Sequence, residues 1–175
     1  MKILTTYFSQ TGNTERIARA IHNEAIAQHD SVIHRLDAIH DSSLDGYNLI
    51  FIGSPCHAGN LAAPVRDFLS QLPDNPPFHL AGFITHASPA YSKTDFESCV
   101  SYFASLCKKK KITYHGCFEC QGSLTPQLRE FIKKSKKIPD DEWDRFLKSN
   151  NGHPDKEDEN NARSYARKVL SDSLM

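Results

Sequence analysis

Ser9-Gln10-Thr11-Gly12-Asn13-Thr14 is the stretch that decides how the rest of the chain reads. An apolar run over residues 3–8 precedes it, and a helical pattern over 14–28 follows. A strand, a tight turn of hydroxyls, Gly and Asn, and then a helix make an anion site. The first N–H groups of a helix lack intrahelical partners, and the helix dipole adds partial positive charge there. The hydroxyls of Ser9, Thr11 and Thr14 add donors, so a phosphate can be held without Lys or Arg. A plain turn, rich in small polar residues, is the alternative reading.

What the stretch lacks narrows it further. No Gly-x-x-x-x-Gly-Lys-Ser/Thr occurs, so no lysine is set to hold the outer phosphates of a nucleoside triphosphate. No Gly-x-Gly-x-x-Gly follows the strand, so the dinucleotide fingerprint is absent. A single terminal phosphate, as on a mononucleotide, suits what remains. Residues 9–14 resemble the phosphate-binding loop of flavodoxins, whose pattern is Ser/Thr-x-Thr-Gly-Asn-Thr, with every defining position matched. The resemblance implies an FMN-binding fold.

The chain then alternates strand and helix. Strands are expected at 2–8, 32–36, 48–53, 80–85 and 112–120. The continuous apolar runs of the third and fourth fit central parallel strands covered on both faces. The helix after the first loop carries Ile17, Ile21 and Ala25 on one stripe. A second helix from about residue 63, with Pro64 in its first turn, carries Val65, Phe68, Leu69 and Leu72. Thr94 and Glu97 form a capping-box pair for a third helix, with Phe96, Cys99, Val100, Phe103 and Cys107 inward and four lysines, 108–111, at its end.

Residues 122–151 are less regular. One helix from Thr125-Pro126 is expected to turn Leu128, Phe131 and Ile132 inward, and another over 138–147 to turn in Trp143, Phe146 and Leu147. A turn over 149–152 leads to a last helix over 155–170, with Ala162, Tyr165, Ala166 and Val169 inward. The segment reads as an insertion at the sheet edge of a single domain spanning 1–175. The fold class is α/β: a doubly wound three-layer sandwich whose five-stranded parallel sheet has the flavodoxin-like order 2-1-3-4-5. Gly152-His153-Pro154-Asp155 resembles the start of the final helix in many flavodoxin-family proteins, and residues 118–122 resemble the end of their fifth strand.

Composition bounds the function. A chain of 175 residues with zero formal net charge calls for neither nucleic acid nor an anionic membrane. No apolar stretch approaches the ~20 residues of a membrane helix, and no signal-peptide pattern opens the chain, so a cytoplasmic location is expected. Five cysteines, an odd number, argue against a disulfide framework. Cys117 and Cys120 form a lone C-x-x-C whose members point to opposite faces of a strand, and no second pair completes a zinc site. No metal ligands and no catalytic residues are assigned.

In an open parallel sheet, ligands bind beyond the carboxyl ends of the strands where strand order reverses. Three loops meet there: Ser9, Gln10, Thr11, Gly12, Asn13 and Thr14; then residues 54–60; then residues 87–92. The flavodoxin resemblance gives the first the phosphate and the other two the isoalloxazine ring. Backbone groups of Pro55, Cys56, His57, Ala58 and Gly59 suit the ring's polar edge, with Gly59 tolerating a peptide flip on flavin reduction. Ala87 and Ser88 line the third loop, and Tyr91 is the aromatic set to stack. The Cys56 thiol reads as a packing group, and His57 reads equally as an exposed loop histidine.

The expected function is an FMN-binding flavoprotein in electron transfer, working with a redox partner protein. An NAD(P)H-dependent quinone or flavin reductase on the same scaffold is the alternative, because flavodoxin carriers are strongly acidic and this chain is neutral. A non-redox module that has lost its flavin is the third reading. A phospho-receiver is disfavoured, since Tyr7-Phe8-Ser9 and Gly53-Ser54 occupy the positions where its acidic residues would stand.

Overall fold

The computed structural model describes residues 1–39, 44–88 and 94–174, without the side chains of residues 94, 95 and 136. Five parallel strands form its sheet: β1 (Lys2–Tyr7), β2 (Asp30–Arg35), β3 (Leu49–His57), β5 (His79–His86) and β6 (Tyr114–Gln121). A two-residue strand, β4 (Asn60–Leu61), folds back antiparallel on the end of β3. The order is β2-β1-β3-β5-β6. With the stub β4 set aside, that is the expected 2-1-3-4-5.

The central strands are apolar on both faces, and alternate residues go to opposite layers. Leu49 and Phe51 pack with α1 (Asn13–Ala25) and α6 (Lys156–Asp172), through Ile17, Ile21, Ala162, Ala166 and Val169. Ile50 and Ile52 pack with α2 (Ala63–Gln71) and α3 (Thr94–Lys110), through Val65, Leu69, Phe103 and Cys107. Helices therefore cover both faces, as right-handed crossovers between parallel strands require.

Two close approaches hold the sheet in shape. A Cβ on Gly53 would lie 2.1 Å from the Phe83 ring, so only glycine lets β3 and β5 pack there. Gly116, at φ 87°, sits where the β5–β6 register slips. The part-buried Tyr165 hydroxyl of α6 shares its one proton across this irregularity between the carbonyls of Gly82 (3.0 Å) and Gly116 (2.8 Å).

Several expectations change. β3 continues four residues past Gly53, because Ser54 and Pro55 stay paired with Ile84 and Thr85 of β5. Two helices, α4 (Pro126–Lys136) and α5 (Asp140–Asn150), follow β6. Thr125 caps α4 by accepting from the Leu128 N–H. Yet Leu128 and Phe131, expected inward, are 43% and 66% exposed. Their spacing makes a stripe, but α4 lies off the sheet, where no apolar layer among the described residues receives it. On α5, Trp143 and Phe146 are buried and stack on each other at 5.1 Å. Asn150, expected in a turn, is still helical. The Thr94 half of the capping box lies outside the described side chains. Among the described residues, no helix is long and apolar enough to cross a membrane.

Candidate functional site

The site is built from the end of β1 upward. Phe8 N–H still reaches the Gly53 carbonyl (3.1 Å), and the chain then turns away from the sheet. Ser9 is buried, and its Oγ accepts from the Gly12 N–H at 3.1 Å, closing the turn on itself. Gly12 stands at φ 86° as the N-cap of α1. A side chain there would meet nothing within 4 Å, so the backbone angle alone explains glycine. Among the described residues no side chain caps the first turn of α1. Its N–H donors and the exposed Gln10 and Thr11 thus face open space with the positive end of the helix dipole behind them. Arg16, the first cation of α1, is held away by Glu159 (2.5 Å) and the Pro154 carbonyl.

The side chains of the loop divide their tasks in a way that residue types alone do not reveal. The Thr14 hydroxyl is buried against the Thr85 hydroxyl at 2.8 Å, tying α1 to the end of β5. Asn13 donates through Nδ2 to the Ser123 carbonyl at 2.9 Å. A Cβ on Gly122 would fall 2.7 Å from that Nδ2, so Gly122 is where the two segments touch. Asn13 and Thr14 therefore offer an anion their backbone N–H groups, while their side chains brace the loop.

Beyond β3 the chain makes a two-residue hairpin at Ala58-Gly59. Both residues have positive φ, 49° and 80°, as a type I′ turn requires. Ser54 fastens its base: buried Oγ accepts from the Ala62 N–H at 2.9 Å. Ser98 of α3 donates to the Gly59 carbonyl and fastens its tip. Cys56 is partly buried in the hairpin's stem and His57 is exposed at its shoulder. Atoms packed around the His57 ring lower its pKa below the ordinary value.

The third loop is organised by His86. Its buried imidazole stacks on Phe96 at 4.2 Å. Nδ1 accepts from the Ser88 N–H (3.2 Å), so the ring proton sits on Nε2, which donates to Glu119 Oε2 at 2.7 Å. Gln121 donates to the Ser88 carbonyl at 2.7 Å. Ala87 and Ser88 are thus pinned from β6. Tyr91 lies outside the described residues.

These three segments border one open cleft at the carboxyl edge of the sheet. Gln10, Thr11, Asn13 and Thr14 form one side, and Pro55, Cys56 and His57 another. Thr85, His86 and Ala87 lie between. The structure adds a fourth wall, residues 122–125 with Leu128. Asn150 holds it: its fully buried amide donates to the Gly122 carbonyl (3.0 Å) and accepts from the Leu124 N–H (3.2 Å). The segment read as an edge insertion thus begins inside the site. The one available signal was topological, since the chain leaves β6 at the same sheet edge as the other loops.

The donor set suits a phosphate monoester: backbone N–H groups, hydroxyls and a helix dipole, with no carboxylate among the described cleft-lining side chains. Pro55, Leu124 and Leu128 give the remaining lining an apolar share for a flat ring.

Comparison with known proteins agrees with this architecture. The chain is 27% identical over 183 residues, 97% of either chain, to the flavodoxin-like domain-containing protein BilS of Clostridioides difficile. Its fold is similar to that of oxidised flavodoxin 1 from Bacillus cereus, at TM-score 0.67 and 15% identity over 98% of both chains. It is also similar to a flavoprotein in complex with FMN from Lactobacillus acidophilus, at TM-score 0.51 and 23% identity, covering 67% of this chain and 92% of that one. The flavodoxin domain model matches residues 4–167, and the chain belongs to that family.

Proposed function

We propose that this protein binds FMN and passes electrons to or from a redox partner protein. The observation that carries the reading is the uncapped first turn of α1, opening with Gly12 into a cleft at the point where strand order reverses. FMN, when bound, supplies reversible one- and two-electron redox chemistry. The chain's own residues bind and orient it. Backbone N–H groups of residues 10, 11, 13 and 14 and the Ser9 and Thr11 hydroxyls take the phosphate, while the Gly12 N–H closes the turn on Ser9. The segments Pro55, Cys56, His57, Ala58 and Gly59, and Ala87 and Ser88, face the ring system, with Tyr91 assigned to stack on it. Residues 122–125 exclude water from the side opposite the hairpin.

The peptide after Gly59 reports on the ring's polar edge. Its carbonyl accepts from Ser98, so turning that peptide over requires breaking a hydrogen bond to α3. Ser98 thereby sets the energy of any flip.

The test compares FMN with riboflavin, which carries the same ring without the phosphate. Quenching of flavin fluorescence on titration with the purified protein gives both affinities. FMN is expected to bind at least ten-fold tighter. Equal affinities, or no binding of either, would refute the reading. Zero formal net charge favours a second possibility within the class, a reductase fed by NADH or NADPH, since no net negative charge repels an anionic nicotinamide cofactor. Rapid anaerobic bleaching of the loaded protein by either cofactor identifies it.

A further inference from the structure

Two of the five cysteines meet at the cleft. Cys56 stands in the last part of β3 and contributes to the cleft wall. Cys99 projects from α3 and is fully buried behind it. Their sulfurs are 3.2 Å apart, with the Cys99 S–H donating to the Cys56 sulfur. A disulfide needs about 2.0 Å, so a relative movement of about 1.2 Å closes the bond. α3 is already tied to the sheet edge just before Cys99, to the hairpin that follows β3 and to the end of β5. Ser98 bonds the Gly59 carbonyl, and Phe96 stacks on His86.

The other thiols are placed differently. Cys107 is buried, and burial pushes its pKa up to about 11. Burial also raises Cys117 and Cys120 strongly, and the two occupy opposite faces of β6, in different core layers. They are separated by the sheet itself.

We propose that Cys56 and Cys99 form a reversible disulfide, a second two-electron redox site that takes low-molecular-weight disulfides as its oxidant. Cys56 attacks, because it reaches the cleft, and Cys99 resolves. In the first step the Cys56 thiolate displaces one thiolate from the small disulfide and becomes a mixed disulfide. In the second, Cys99 loses its proton, attacks the Cys56 sulfur and expels the second thiolate. Two protein thiols are oxidised, one small disulfide is reduced to two thiols, and the two protons leave with them. The order follows from the hydrogen bond. Cys99's pKa is raised first by the bond it donates to Cys56 and then by burial, so Cys99 keeps its proton while the Cys56 sulfur faces the cleft. Once Cys56 is capped, that restraint on Cys99 is gone. The closed disulfide cross-links one wall of the cleft to α3. It stands independently of what the cleft binds.

The purified protein is exposed to glutathione disulfide, quenched in acid, unfolded, alkylated and analysed by intact mass and peptide mapping. The expected result is loss of two of the five alkylatable thiols, mapped to Cys56 and Cys99 and restored by dithiothreitol. Cys99→Ser should retain one glutathione on Cys56. Cys56→Ser should take up none, leaving all four remaining thiols alkylated. Five alkylatable thiols after exposure of the unaltered protein would overturn the proposal, and so would a disulfide between any other pair. So would a glutathione adduct on Cys99 in Cys56→Ser. The experiment on the unaltered protein decides the matter even if a variant does not fold.

Discussion

Replacing Asn150 by alanine probes the wall that the 122–151 excursion contributes to the site. The amide makes two hydrogen bonds in a fully buried position, to the Gly122 carbonyl and from the Leu124 N–H. Each is worth about 1 kcal/mol net, which sets a floor of about 2 kcal/mol. Alanine also leaves both backbone groups without this partner at the base of the cleft, and an orphaned group costs about 1–3 kcal/mol. The expected loss is therefore about 2–4 kcal/mol, a large part of the total stability of an ordinary domain. With an m-value of about 2 kcal/mol/M in urea, the unfolding midpoint should fall by about 1–2 M, with m unchanged. FMN affinity should drop as well, because residues 122–125 lose their anchor. A midpoint within about 0.2 M of the unaltered protein would show that water or a shifted backbone replaces the amide, and the reasoning would fail.

Four other outcomes are expected. Gly53→Ala drives a Cβ into the Phe83 ring and should cost at least about 3 kcal/mol in urea unfolding, the top of the overpacking range. Gly12→Ala has open space around it but must hold φ near 86°; it should cost only about 1 kcal/mol of stability while weakening FMN more than riboflavin in the fluorescence titration. Phe131→Ser, on an exposed helix face, should change stability by less than about 0.5 kcal/mol. Burial, with help from His79, holds the His115 pKa below its ordinary value. The unfolded chain therefore binds more protons below about pH 6.5, and stability falls as pH drops from there towards the lowered value. His115→Gln should flatten that fall in chemical denaturation measured at pH 5 and pH 7, with His22, His29 and His57 contributing in the same direction.

The division between local and distant information follows the physics of each feature. The strands and covered helices were legible because burial on two faces imposes continuous apolar runs, and burial on one face imposes a 3.6-residue stripe. Residues 49–52 and the α1 stripe of Ile17 and Ile21 show both. The first loop was legible because a left-handed N-cap admits few residues and a phosphate cradle demands donors. Leu128 and Phe131 misled because a stripe records an amphipathic helix without recording whether an apolar surface lies opposite it.

Other features depend on residues far apart in the chain, which local patterns do not encode. Thr14 meets Thr85, Asn13 meets the Ser123 carbonyl, and Cys56 meets Cys99 only after five strands are paired in order. His86 Nε2 finds its partner only when Glu119 arrives on the neighbouring strand. The phosphate-loop motif thus comes from residues 9–14 alone. The identity of the fourth wall, the bracing roles of the loop side chains and the thiol pair come from folding, because each rests on hydrogen bonds or contacts between segments that the sheet brings together.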